Sequence, residues 1–215
     1  QGKSLGIIGG VGSGKSTIAE LILRNYDPNN GEVLIDDKNI KKHNLNIIRQ
    51  NIGYVPQNTF LFSDTILNNI KFGNIEASND DVITFAKFSN IHNDIDEFYN
   101  KYNSVLGERG INLSGGQRQR IAISRALIKK PSILILDDSL SAVDTETEDK
   151  IFKNILNNIP DCTKIVISHR ISTVKYCDKI IVINDGKKVE EGNHLKLVEN
   201  GGYYYEIYNQ QIKGK

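Results

Sequence analysis

The chain has 215 residues, 39% of them hydrophobic and 25% charged, a balance that suits one medium-sized domain or two unequal lobes with a full core. Its formal net charge is only +1, which argues against a dedicated nucleic-acid surface, and no apolar run approaches the roughly 18 residues needed to span a bilayer. The two cysteines, Cys162 and Cys177, lack metal-ligand spacing and are predicted to be reduced, buried or half-buried thiols.

The amino-terminal part begins with a strand that leads into a glycine-rich loop. Residues 5–8 form a short apolar run, the sequence GGVGSGKST follows at 9–17, and helical spacing covers 18–25. After turn residues at 27–31, residues 32–35 and 51–56 are predicted as strands. We therefore expect a phosphate-loop unit mixed with antiparallel strands.

Strand signals are absent from about residue 58 to residue 130, where helical spacing covers 66–70, 81–90 and 116–129. After Pro131 the strands return at 133–136, 165–168 and 179–183, each separated from the next by a helical pattern or a turn. Short helices are predicted at 194–199 and 203–210. The alternation of strands and helices favours an α/β fold with a parallel sheet and covering helices.

The loop at residues 9–17 fits the phosphate-loop pattern, G-x-x-x-x-G-K-S, with a strand before it and a helix after it. Its glycines let successive backbone N–H groups point inward around a phosphate chain, and the following helix adds its positive end. The Lys15 ammonium supplies a point charge for phosphates, and the Ser16 hydroxyl suits Mg²⁺, a hard ion that prefers oxygen ligands. The pattern predicts a site for a nucleotide and magnesium.

Two further stretches place polar groups beside that loop. The run ILILDD ends in Asp137 and Asp138, and Asp137 follows a buried strand as a metal-ordering acid does, at the strand end where ligands bind. The run LSGGQ precedes a helix, so Ser114 is predicted to cap it, while Gly115 and Gly116 leave the backbone open to an anion.

Taken in order, these motifs resemble the nucleotide-binding domain of ATP-binding cassette (ABC) proteins over the whole chain. GGVGSGKST is similar to Walker A, LSGGQ to the ABC signature, ILILDD to Walker B, and Ser141–Asp144 to the D-loop, with Val143 where leucine is usual. The resemblance implies a P-loop NTPase (RecA-like) core sheet with an antiparallel β portion and an inserted α-helical signature lobe. The core is expected at 1–57 and 131–215, and the lobe at 58–130.

The resemblance also implies a role for single residues. Gln57 in YVPQ matches the Q-loop glutamine, which touches Mg²⁺ and the attacking water, and His169 in VISHR matches the switch histidine at the γ-phosphate. Asp138, His169 and Gln57 are the expected catalytic residues, and Ser16, Gln57 and Asp137 the expected Mg²⁺ ligands. The expected ATP-binding residues are Gly9, Gly10, Val11, Gly12, Ser13, Gly14, Lys15, Ser16, Thr17, Ser114, Gly115, Gly116, Gln117 and Asp144.

Gly107-Glu108-Arg109-Gly110 is similar to the X-loop of ABC exporters, and residues 58–70 are exporter-like. The resemblance implies a head-to-tail dimer with a second nucleotide-binding domain, in which each ATP lies between Walker A of one domain and the signature of the other. It further implies transmembrane domains contacted through Gln57 and the Glu108–Arg109 region, export of the multidrug-exporter type, and a place on the cytoplasmic face of the plasma membrane. A soluble ABC protein of DNA repair or translation is disfavoured by the compact spacing between Gln57 and Ser114.

The residue after the Walker B aspartate is usually glutamate, the base that activates water, but here it is Asp138. Its carboxylate is set back by about 1 Å, and a misplacement of that size costs on the order of 10²-fold in rate. Two hypotheses follow: an ordinary homodimeric motor, or, as we favour, the degenerate half of a heterodimer that binds ATP with little hydrolysis of its own.

The chain is expected to be a soluble piece of a longer protein, since Gln1 is not a natural start and membrane segments would lie outside it. The family places an aromatic residue that stacks on adenine upstream of Walker A. We therefore expect weaker adenine binding by this piece than by a version extended at its amino terminus.

Overall fold

A computed structural model of the protein describes residues 1–107 and 113–213. Its main sheet has six strands in the order β4-β5-β6-β1-β7-β8, and a separate pair, β2 and β3, is antiparallel. The strands are β1 (Ser4–Gly9), β2 (Leu34–Ile35), β3 (Lys38–Asn39), β4 (Ile52–Val55), β5 (Ile133–Asp137), β6 (Thr163–Ser168), β7 (Lys179–Asn184) and β8 (Lys187–Gly192). The predicted α/β class, a mostly parallel sheet with an antiparallel portion, is confirmed.

Ten α-helices and two short 3₁₀ helices, Ile40–Lys42 and Lys101–Asn103, accompany these strands in the described residues. No helix of this part of the chain combines the length and the apolar character needed to cross a membrane. The helices are α1 (Lys15–Ile22), α2 (Leu45–Asn51), α3 (Ile66–Lys71), α4 (Asn79–Phe88), α5 (His92–Glu97), α6 (Gly115–Leu127), α7 (Thr145–Asn158), α8 (Ile171–Val174), α9 (His194–Glu199) and α10 (Tyr203–Lys213).

Strand register brings the carboxyl ends of three central strands together. β1 pairs in parallel with β6 and β7, and β5 pairs in parallel with β6, so that Ile8 lies opposite Ser168 and Asp137 opposite Ile167. The strands are short runs of β-branched and leucine residues buried on both faces, the pattern of a sheet covered by helices on each side. The phosphate loop, the paired aspartates and the end of β6 therefore share one edge.

Three hydrophobic clusters hold the layers together. The largest joins helices α3 to α6 to the sheet and to α7, so residues such as Ile70 and Ile121 share it with Leu136 and Ile151. A second cluster packs α1 and α2 on the other sheet face, and a third lies under α8, α9 and α10. Cys162 and Cys177 are both free and buried within these clusters.

Several sequence expectations need correction. The strand expected at 32–35 is only two residues long, and the strand expected at 51–56 is not an antiparallel piece, because β4 joins the main sheet in parallel with β5. The first helix begins at Lys15, three residues before its apolar spacing, since the phosphate loop itself opens it. β8 was missed because its sequence, KKVEEG, is polar, although Asp185 and Gly186 at positive φ form the tight turn that an Asp-Gly pair signals.

Candidate functional site

The loop between β1 and α1 is folded as a cradle. Gly12 and Gly14 have φ of 79° and 92°, a left-handed conformation that glycine adopts without strain, and Gly14 precedes the first residue of α1. The Lys15 side chain is only 7% exposed. Its Nζ donates to the backbone carbonyl oxygens of Gly9 at 2.9 Å and Gly10 at 2.7 Å. These bonds close the loop and hold the ammonium at its centre.

The polar groups of this cradle fit a phosphate chain. The Ser13 hydroxyl is buried and has no hydrogen-bond partner among the described residues, an arrangement that is unfavourable unless a ligand supplies one. Burial lowers the pKa of Lys15, while the carboxylates of Asp138 and Asp137 act in the opposite direction. The pocket has a volume of about 370 Å³. Its lining is Val11, Gly12, Gly14, Lys15, Ser16, Thr17, Gln57, Asp138 and His169.

Asp137, at the end of β5, is buried and faces the start of α1. The Ser16 hydroxyl donates to its Oδ1 at 3.0 Å, and the Tyr54 hydroxyl donates to its Oδ2 at 3.5 Å. Burial raises the pKa of Asp137, and the Ser16 hydrogen bond opposes this rise. Burial and the nearby Asp137 raise the pKa of Tyr54 to about 12, so its hydroxyl keeps the proton that it donates.

The pair Ser16–Asp137 fits a magnesium ion. Its hydroxyl and carboxylate oxygens are hard donors already within hydrogen-bond distance of each other. Over the described residues, no group of three or more histidine, cysteine or acidic side chains forms a metal cage. Magnesium binds one or two carboxylates and takes its remaining ligands from phosphates and water.

Asp138 and His169 are paired across the strand ends. One oxygen of Asp138, Oδ1, accepts from the backbone N–H of His169 at 3.1 Å and lies 2.9 Å from its ring Nδ1. The Asp138 side chain is 12% exposed and that of His169 45%. The backbone of Asp138 has a φ of 44°, in the left-handed region. With Nδ1 donating, the other ring nitrogen of His169 is the one available for a ligand.

The signature residues Ser114 and Gln117 are hydrogen-bonded to each other at the start of α6. Gln117 N–H donates to the Ser114 hydroxyl at 3.1 Å, and Ser114 N–H donates to Gln117 Oε1 at 3.0 Å, a capping box at the start of α6. Gly116 packs against the D-loop, where a Cβ would lie 2.9 Å from the Ala142 carbonyl oxygen. In the described structure, none of residues 114–117 lines the phosphate pocket. Their predicted contact with ATP stays a prediction.

Two side chains that the sequence did not single out hold the D-loop. Gln119 of α6 donates to the Ser141 hydroxyl at 3.1 Å and accepts from the Ala142 N–H at 3.0 Å. Arg170, next to His169, donates to the carbonyl oxygens of Ser141 and Val143. All of these hydrogen bonds join groups that are more than 20 residues apart in sequence, so no periodicity in the sequence predicts them.

Asp144, the last residue of the D-loop, caps α7. Its Oδ1 accepts from the Thr147 N–H at 2.9 Å, and the hydrogen bonds to Thr147 lower its pKa. Its predicted role at a nucleotide is not tested by these contacts. Glu108 and Arg109, the predicted X-loop, lie outside the described residues.

A glycine-rich loop between a strand and a helix, a buried lysine, and a serine paired with the acid at the end of β5 define a phosphate-loop nucleotide-binding domain. The family model described as "ABC transporter" matches residues 1–141. The chain belongs to the ABC transporter family and is an ATP-binding domain of that family, as the sequence motifs predicted.

Individual relatives agree with this assignment. The chain is 48% identical, over 99% of its length, to the uncharacterized ABC transporter ATP-binding protein YknU of Bacillus subtilis. It is 43% identical, over 98% of its length, to the mitochondrial iron-sulfur clusters transporter ABCB7 of Danio rerio. The chain spans 36% and 28% of the lengths of these two proteins.

A solved structure of a bacterial Atm1-family ABC exporter with ATP bound is similar to 98% of this chain, with a TM-score of 0.95 and 41% sequence identity. The chain corresponds to 37% of that protein. The predicted fold is therefore confirmed at the level of the whole ABC ATPase domain.

Proposed function

We propose that the chain is the motor domain of an ABC exporter, in which binding and hydrolysis of Mg-ATP drive transport by attached transmembrane domains. The observation that carries the proposal is the meeting of Lys15, Ser16, Gln57, Asp138 and His169 around one pocket. A charge for phosphates, a magnesium ligand and groups able to orient water lie together there, although Gln57, Asp138 and His169 are far from the phosphate loop in sequence.

The phosphate end of ATP is held by the cradle. Backbone N–H groups of the loop and the Lys15 ammonium bind phosphate oxygens, and the Ser13 hydroxyl gains a partner it lacks in the described contacts. Ser16, Asp137 and Gln57 would hold Mg²⁺, which when bound neutralises phosphate charge. The buried position of Asp137 beneath Ser16 orients its carboxylate before the ion arrives.

Asp138 and His169 would act on the attacking water and the terminal phosphate. The Asp138 carboxylate would accept a hydrogen bond from the water and receive its proton as the water oxygen bonds to the γ-phosphorus and the bond from that phosphorus to the departing ADP oxygen breaks. His169 is oriented by its Nδ1 contact with Asp138, which leaves Nε2 to donate or accept at a phosphate oxygen. The second carboxylate oxygen, Oδ2, is the atom of Asp138 without a bond to His169 and is the one assigned to the water.

The signature would serve the ATP of a partner domain. Ser114 is exposed at the start of α6 and lies apart from the chain's own phosphate pocket. A head-to-tail dimer, with a second copy or with a different domain, would bring it to the partner's nucleotide. Binding of ATP would close such a dimer and release of the products would open it.

An aromatic patch near Gln57 supports a membrane partner. Phe60, Phe62 and Phe72 are 52%, 37% and 62% exposed, and Phe62 contacts both other rings. The Arg125 guanidinium lies over Phe62 and Phe72. Exposed apolar patches of this kind mark interaction sites, and we assign this one to the transmembrane domains, on the cytoplasmic face of the membrane.

A second candidate function is an ATP-gated dimerisation module with little hydrolysis of its own. The specific observation in its favour is the short Asp138 side chain, whose Oδ1 is already used twice by His169. In this case the chain would be one half of a heterodimer, and its signature would complete the partner's active site.

The test is Mg-dependent ATP turnover by the full-length protein in lipid nanodiscs, with Lys15→Ala and a control, Lys153→Ala. Lys153 is exposed on α7, far from the cradle in sequence. Lys15→Ala is expected to abolish ATP binding and turnover, and Lys153→Ala to leave both intact. ATP binding without turnover in the wild type would favour the second candidate. ATP binding that is equally strong in Lys15→Ala and in the wild type would contradict both candidates.

A further inference from the structure

In the described part of the chain, the side chain of Gln211 joins the C-terminal helix by hydrogen bonds to the loop that carries the switch histidine. Its Nε2 donates to the backbone carbonyl oxygen of His169 at 2.6 Å, and its Oε1 accepts from the backbone N–H of Ile171 at 2.9 Å. One amide therefore bridges the peptide groups on either side of Arg170. The Ile171 N–H is at the first position of α8, where helices lack an internal partner, and Arg170 provides no side-chain cap.

The same loop makes contacts that matter for the reaction in two other directions. His169 is paired with Asp138 at the phosphate pocket. Arg170 donates to the carbonyl oxygens of Ser141 and Val143 in the D-loop. A shift of residues 169–171 would therefore move both the group facing the nucleotide and the support of the D-loop.

Beyond the pocket, the loop borders an open cleft of about 860 Å³. Residues of the D-loop, of α8 and of α10 line this cleft, among them Asp144, Lys175, Tyr208 and Gln211. The two hydrogen bonds from Gln211 join residues that line this cleft, and they hold the loop backbone in addition to the packing of the buried Ile171.

Helix α10 is itself firmly anchored at its other end. Tyr204 is fully buried, its hydroxyl lies 2.8 Å from His194 Nδ1, and its N–H donates to Glu190 at 2.7 Å. Gln211 follows Tyr204 by two helical turns, about 10 Å along the axis. Helix α10 thus connects the contacts of Tyr204 with β8 and α9 to the contacts of Gln211 with the loop that carries His169.

We infer that Gln211 is a positioning residue for ATP hydrolysis, which holds the backbone of His169 and Ile171 so that the His169 ring meets Asp138 and the terminal phosphate. This inference rests on the proposed ATPase function of the site. Gln211 acts through His169 and does not itself face the phosphate pocket, so it should affect the chemical step and leave ATP binding unchanged.

The experiment measures kcat and KM for ATP in the full-length protein with Gln211→Leu, which removes both hydrogen bonds at similar volume. The expected result is a fall in kcat of roughly 10-fold, with KM changed less than about 2-fold, since small misplacements of a reacting group act on rate more than on binding. Gln210→Leu is the matched control, because Gln210 is the exposed neighbour on the same helix, and it should behave as the wild type.

Three further tests separate positioning from a merely structural effect. Gln211→Leu should add little in a His169→Ala background when single turnover is measured, because both act through the same ring. Hydrogen exchange at the Ile171 amide should accelerate in Gln211→Leu and stay unchanged in Gln210→Leu. Gln211→Glu keeps the acceptor for Ile171 and loses the donor for His169, so its kcat should be intermediate.

Normal wild-type turnover with an unchanged kcat in Gln211→Leu would overturn this inference and leave the proposed function standing. An equal, additive loss in the His169→Ala background would also overturn it, because the effect would then bypass His169. Absence of turnover in the wild type would overturn the proposed function, and this inference with it.

Discussion

At the scale of single residues, the proposed function depends on how far the Asp138 carboxylate reaches. Its Oδ1 is engaged by His169, so only Oδ2 is left for water, on a side chain one methylene shorter than glutamate. In the proposed site, the carboxylate would therefore approach a bound nucleotide less closely than a glutamate at the same position would.

Asp138→Glu is expected to raise ATP turnover at this site by roughly 10-fold or more, because a misplacement of about 1 Å costs on the order of 10²-fold. Asp138→Asn should abolish turnover with ATP affinity retained. Turnover and ATP binding are measured on the same preparations. If Asp138→Glu turns over no faster than a brisk wild type, aspartate is a competent base here and the homodimeric motor is favoured.

Gly9 offers a sharper test of the cradle. A Cβ at Gly9 would lie 2.1 Å from the Ile183 carbonyl oxygen on β7, whereas one at Gly10 has Tyr203 Oη as its nearest neighbour, at 3.9 Å. Gly9→Ala is therefore expected to lower the free energy of unfolding by about 1–3 kcal/mol or more, from overpacking, and Gly10→Ala by much less. Urea unfolding of the two variants decides it, and equal stabilities would contradict the packing argument.

The residues of the cradle could be predicted because they are contiguous: Gly9 to Thr17 need only a strand before them and a helix after them. Gln119, Arg170 and Gln211 could not. Each binds backbone groups or a hydroxyl that the fold brings near from 22 to 42 residues away in sequence. In the sequence alone, a polar residue at such a position predicts only an exposed side chain.

At the scale of elements, Gln119 joins α6 to the D-loop. This side chain is buried, and its amide satisfies the Ser141 hydroxyl and the Ala142 N–H. Gln119→Leu is expected to destabilise the fold by about 1–3 kcal/mol, since it leaves buried polar groups without partners. Hydrogen exchange at residues 141–143 should also accelerate. Gln50→Leu, at an exposed glutamine of α2, is the control; a similar loss there would show that the effect is not specific to the D-loop.

Helix α10 should lose part of its anchor in mild acid. Burial lowers the pKa of His194 from its usual 6.5, and the charge of Lys175 adds to this effect. The folded state therefore favours the neutral ring, the unfolded chain binds the proton near 6.5, and stability falls as the pH drops below that value. Urea unfolding at pH 7.5 and 5.5 should give a smaller difference for His194→Gln than for the wild type. An unchanged difference would assign the pH dependence to other groups.

The elements themselves were predictable where apolar spacing is strong, as in β1, β5 and α6. The polar edge strand β8 was not recognised, because lysine and glutamate are common in loops and the edge of a sheet buries little of them. The observed helices α1 and α6 begin before the predicted ones, because the phosphate loop or a capping residue starts the helix ahead of its apolar residues.

At the scale of the whole molecule, the predicted helical lobe and the predicted core are not separate in their packing. The largest hydrophobic cluster includes Ile70, Phe85 and Ile121 from residues 58–130, and Leu136 and Ile151 from the other part. The division at 58–130 thus stays a prediction about motion and contacts with partners. For stability, the two parts share one core.

A shared core predicts a single unfolding transition for the two parts. Pulse-labelled hydrogen exchange across a urea series, in the full-length protein, should give the same midpoint for peptides of α4 and α6 as for peptides of β5 and β6. Separate midpoints would mean that the helical part unfolds on its own. Ile121→Ala should shift all of these midpoints together, because it opens a cavity in the common cluster.

The left-handed backbone of Asp138, at φ 44°, limits which residues can replace it without strain. Aspartate and asparagine tolerate that conformation better than residues with longer side chains, because their short polar groups can bond to nearby backbone. Here the Asp138 carboxylate also accepts from the backbone N–H of His169, a residue distant in sequence. Asparagine is thus a near-silent replacement for the fold, which makes any loss of activity chemical. A glutamate side chain would extend further toward the nucleotide, but it tolerates the left-handed backbone less well. The backbone conformation of this turn therefore favours aspartate, whereas the position of the nucleotide favours glutamate.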